Sequence, residues 1–111
     1  MNNNVNESIK GALLIISEDL VLRRSSAGQG ARRGLIDCLR IVEINESMDA
    51  AMGTIFSDVL KIRDSVKKTR SHSTKEYLGA KIKAYDSVLD LMLNYQSSME
   101  GGDYYETGRL Q

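Results

Sequence analysis

Few side chains in this 111-residue chain have reactive chemistry: His72 is the only histidine and Cys38 the only cysteine. A nucleophile needs a base in reach and a third group to orient that base. His72 stands in a polar turn between Ser71 and Ser73, while Cys38 lies within an apolar stretch, so the two read as a solvated turn residue and a small buried hydrophobe. One His and one Cys cannot complete a zinc site, and the Glu-x-x-His pair of carboxylate-bridged metal bundles is absent. Glu43, Glu46 and Asp49 fall three residues apart, a spacing that reads as a solvated helix face, and the adjacent Glu18 and Asp19 point in different directions on a helix. These residues predict a noncatalytic protein with no metal and no cofactor.

Cations offer more. The stretch RRSSAGQGARRG, residues 23–34, sets Arg23, Arg24, Arg32 and Arg33 around a glycine-bearing segment. A phosphate-binding loop would need a preceding strand and a Lys-Ser or Lys-Thr pair, and both are missing, so the stretch reads as a helix-to-helix connection. Backbone amides at the start of the following helix would still favour an anion. A second basic run surrounds residues 67–75, with Lys67, Lys68, Arg70 and Lys75. Together these eight residues form a candidate site for nucleic-acid phosphates or another anion, although no free aromatic side chains alternate with them.

The elements that must position these groups are helical. The chain has no proline, and apolar residues recur at three- and four-residue spacing with no alternating stretch that would make a strand. Ile9, Ala12, Leu13, Ile16 and Leu20 mark a helix over about 7–23, with Leu14, Ile15, Val21 and Leu22 widening its apolar face. Leu35, Leu39 and Val42 mark a second over 31–45. Met48, Met52, Ile55, Val59, Ile62 and Val66 keep a strict 4-3 spacing over 47–70, and Leu78, Ile82, Tyr85, Leu89 and Met92 repeat it over 74–99. Ser73 with Glu76 reads as a capping box opening the last helix, and Gly101-Gly102 as its stop. Residues 1–6 and 101–111 read as flexible ends around one helical domain, 7–100.

The fold expected is therefore an all-α bundle built on a long antiparallel hairpin of the last two helices, completed by self-association. At Asn45–Ser47 the apolar period changes phase. A straight continuation would make a rod too long for this chain to cover, whereas a reversal brings both basic clusters to one end of the bundle and gathers the acidic segments at the other. The phase change favours a reversal or a sharp kink.

Composition agrees with this class. Fifteen basic residues balance fifteen acidic ones, and 41% of the chain is hydrophobic, so neither wholesale disorder nor a membrane protein is indicated. A lone thiol fits a reducing compartment and predicts a cytoplasmic location. The functional expectation is an interaction protein, an adaptor, inhibitor or assembly component, that forms homo-oligomers and binds a protein partner; a nucleic-acid-binding accessory protein is the alternative.

Overall fold

The computed structural model describes residues 3–108, with side chains described from Asn4 to Gln96. Among the described residues five helices follow one another: α1 (Asn3–Glu18), α2 (Leu20–Arg24), α3 (Ser26–Ile44), α4 (Met48–Lys68) and α5 (His72–Gly108). No strand occurs among the described residues. The all-α bundle expected from the periodicity is what forms.

Each break has a side-chain cause. Asp19 leaves the helical conformation (φ −95°, ψ 110°), and its Oδ1 accepts from the amides of Val21 and Leu22 at 2.9 and 3.0 Å. This cap divides the expected 7–23 helix in two, so Asp19 has a backbone role and is not simply a solvated carboxylate. Ser25 caps α3 by accepting from the Gly28 amide at 2.9 Å. At the third break Asn45 does what neither Gly nor Pro is present to do. Its Nδ2 donates to the Ile41 carbonyl at 2.8 Å and its backbone turns extended, after which Ser47 caps α4 through the Ala50 amide.

Helix directions follow from contacts along α5. Gly30 lies against Tyr77, Gly34 against Lys81 and Ala84, and Asp37 beside Lys81 and Tyr85, so α3 runs parallel to α5. Asp49 pairs with Gln96 and Arg63 with Asp86, so α4 runs antiparallel to α5. The chain therefore reverses between Ile44 and Met48.

Among the described residues the core is one cluster drawn from four helices. Val5 and Ile9 of α1, Leu35, Cys38, Ile41 and Val42 of α3, Met48, Ala51, Ile55, Val59 and Ile62 of α4, and Ala84, Tyr85, Val88 and Met92 of α5 are buried. The 4-3 seams of α4 and α5 meet as their spacing requires. The more extensive contact, however, is α3 on α5, so α5 is the shared centre and the α4–α5 hairpin is only half of the scaffold.

Four boundaries differ from expectation. Helix α1 begins at Asn3 and buries Val5, reaching back into the segment read as flexible. Helix α3 begins five residues before 31, so most of the supposed loop is helix. The cap of α5 is Ser71, whose Oγ accepts from the Thr74 amide at 3.2 Å, while Glu76 turns to His72 at 3.3 Å instead of closing a box with Ser73. Helix α5 passes through Gly101-Gly102 to Gly108; the last residues of the tail expected to be flexible, 109–111, lie outside the described residues.

Candidate basic cleft

Gly28 and Gly30 explain why a helix runs through GQG. A Cβ on Gly28 would fall 1.8 Å from the Leu22 carbonyl oxygen, and one on Gly30 2.0 Å from the Tyr77 carbonyl oxygen. One turn later, a Cβ on Gly34 would come within 2.9 Å of the Lys81 carbonyl. The glycines are the faces on which α3 approaches α2 and α5 backbone to backbone, and Gly30 and Gly34, four apart, share the side facing α5. That spacing was the available signal.

This approach shapes a cleft of about 580 Å³ between α1, the α2–α3 corner and α5, lined by Ser17, Arg23, Gly28, Gln29, Arg32, Arg33 and Tyr77. Three of the four expected arginines meet there. Arg24 is exposed one residue further on and does not line it. Lys67 and Lys68 close α4, Arg70 follows in the turn and Lys75 lies in the first turn of α5. Because α3 and α5 are parallel and α4 antiparallel to both, all eight cations belong to the same end of the bundle. The acidic Glu43, Glu46 and Asp49 sit at the opposite end, around the α3–α4 reversal.

Not every cation is available. Arg33 is 3.0 Å from Asp37 Oδ1, and Lys68 is 2.9 Å from Asp64 Oδ2. Arg23, Arg24, Arg32, Lys67, Arg70 and Lys75 have no carboxylate partner among the described residues. The helix start moves from residue 31 to Ser26, so the amides of 31–33 lie inside the helix, and at the new start Ser25 takes the Gly28 amide.

Tyr77, Gln29 and Ser17 are cleft residues that the sequence did not single out. Tyr77 belongs to the apolar pattern, but its position against Gly30 brings it to the cleft wall. A second unforeseen group lies between α3 and α5, where half-buried Asp37 is approached by Arg33, by Lys81 at 3.4 Å and by the Tyr85 hydroxyl, which donates at 3.4 Å. Burial first, and the Asp37 carboxylate second, push the neighbouring Cys38 thiol up to about 12 and raise the Tyr85 phenol as well. Cys38 is fully buried and its thiol is held protonated, the reverse of what activates a nucleophile.

A second groove of about 640 Å³ runs between the α1–α3 segment and α5, walled by small residues including Ala27, Ala31, Gly79 and Ala80. Among the described residues no cluster of His, Cys, Asp and Glu could hold a metal ion, and no helix is long and apolar enough to cross a membrane. No family model, curated protein or solved structure matches the chain.

Proposed function

We propose that this chain is a noncatalytic interaction module, a small helical bundle that associates with itself and binds another macromolecule as an adaptor, inhibitor or assembly component. The observation that carries this reading is the set of large apolar side chains left more than half exposed. Leu14, Ile15, Leu20 and Val21 lie on α1–α2, Ile44 ends α3, Phe56 and Leu60 lie on α4, and Leu93 on α5. Scattered apolar residues are ordinary on a surface, but contiguous patches mark interaction sites. Methionines in the α4 and α5 seams add adaptable packing. The single buried thiol fits a cytoplasmic setting. Light scattering of the purified chain at micromolar concentration tests the reading: a dimer or larger species is expected, and a strict monomer would remove self-association.

A second reading rests on the basic cleft. Arg23 and Arg32, unpaired beside Tyr77, suit a phosphate with an adjoining base or ring, which would make the protein a nucleic-acid-binding accessory factor. Fluorescence polarisation with DNA and RNA separates the two, because phosphate contacts weaken steeply with salt and apolar association does not. Binding at low salt that falls between about 50 and 200 mM supports this second reading, and no binding at either salt removes it.

A further inference from the structure

Besides its buried seam, α4 carries a second stripe on its outer surface: Asp49, Gly53, Phe56, Leu60, Arg63 and Lys67, all exposed and spaced 4-3-4-3-4. Its order is complementary to its own reverse. Reversed about Asp58, Phe56 falls opposite Leu60, Gly53 opposite Arg63, and Asp49 opposite Lys67. A twofold axis at that point therefore sets apolar against apolar, a large cation against an empty surface, and acid against base, all from one helix paired with its own copy.

The surroundings complete the match. A Cβ on Gly53 would meet nothing within 4 Å, so there is open space where a partner's Arg63 would arrive. Gly53 also lines a groove of about 610 Å³ between α4 and α5 whose other walls include Phe56, Leu93, Asp86 and Asp90. Of the groove's two carboxylates Asp90 lies nearer to Gly53 and is the one offered to the incoming guanidinium, while Asp86 is engaged at 3.9 Å by Arg63 of the same chain. The Asp49 carboxylate is held in place by Gln96 Nε2 at 2.9 Å, and Lys67 has no carboxylate partner among the described residues. The apolar patch on α1–α2 has no equivalent, because the helix breaks at Asp19 and offers no uninterrupted stripe to register.

We propose that a second copy of this chain docks on the α4–α5 face, with α4 antiparallel to its mate about a twofold axis at Asp58. The proposal rests on the self-association reading above and names its interface. Sedimentation equilibrium of the full chain is the test, with circular dichroism showing that each variant keeps its helices. Leu60→Glu raises the dimer dissociation constant by about 100-fold, since each new carboxylate would be desolvated against the opposing Phe56. Val21→Glu, on the other patch, leaves it unchanged. Asp49→Lys and Lys67→Asp each weaken association when studied alone, and an equimolar mixture of the two single variants recovers it, because both crossed pairs are then opposite in sign. If the wild-type chain dimerises and Leu60→Glu still does, or the mixture recovers nothing, the interface is wrong while self-association stands. A wild-type monomer overturns both.

Discussion

Helix α5 is gripped from two sides by different physics. Toward α4 it presents a conventional seam in which branched and thioether side chains interdigitate, with Ile55 and Met92 fully buried. Toward α3 the side chains are absent where contact is closest, and Gly30 and Gly34 let backbone meet backbone while Asp37, Lys81 and Tyr85 lock the register electrostatically. The first interface depends on the volume it contains, the second on the volume it leaves out. A seam of the first kind tolerates repacking among similar side chains, whereas the second fails on the addition of one methyl group.

The contrast can be broken from either side. Ile55→Ala removes fully buried atoms from the α4 seam and should lower the unfolding free energy by about 3 kcal/mol in urea titrations, while Ile55→Val loses about 1 kcal/mol. Gly30→Ala acts by insertion. Its Cβ would collide with the Tyr77 carbonyl, so despite a better helix propensity it should destabilise by about 2 kcal/mol, and an unchanged urea midpoint would contradict the close approach.

High pH reaches the α3 side selectively. The unfolded chain releases the Cys38 proton near the ordinary thiol value of 9.0, but the folded chain holds it to about 12, so above pH 9 the unfolded state binds fewer protons and stability falls. The raised Tyr85 phenol acts in the same direction. Urea midpoints measured at pH 8, 9.5 and 10.5 should fall steadily, with a limiting slope of about 1.4 kcal/mol per pH unit for each group. Asp37→Asn weakens the lock on Lys81 and should lose about 1 kcal/mol, a partly exposed site screening the rest. Smallest is Gly11→Ala, where the added Cβ meets nothing within 4 Å and the helix should gain about 0.5–1 kcal/mol, opposite in sign to Gly30→Ala.

The two sides also differ in how openly the sequence announces them. Interdigitating seams leave a periodic record, and Met48 to Val66 and Leu78 to Met92 are readable as helices that pair. Gly28, Gly30 and Gly34 leave the signature of a loop, since local propensity opposes a helix there and only the docked partner overrides it. The reversal at Asn45–Ser47 shows as a change of phase, but its agent, the Asn45 amide on the Ile41 carbonyl, is a competition between side chain and backbone that composition does not reveal. Of the basic site, the four arginines are legible in the sequence. That Arg33 is committed to Asp37 follows from their i, i+4 spacing, whereas Tyr77 joins the cleft only because two helices run parallel.

The glycines of α3 bear finally on the order of events in folding. Three of them in one helix penalise it by about 3 kcal/mol against alanine, so α3 detached from its neighbours is a coil. Helices α4 and α5 are joined by a short turn and bring together residues close in sequence, which makes them the pair that can assemble first. Helix α3 then winds up on a template already standing. Its amides should accordingly be the first of the core to exchange with solvent, and the basic cleft opens and closes with them.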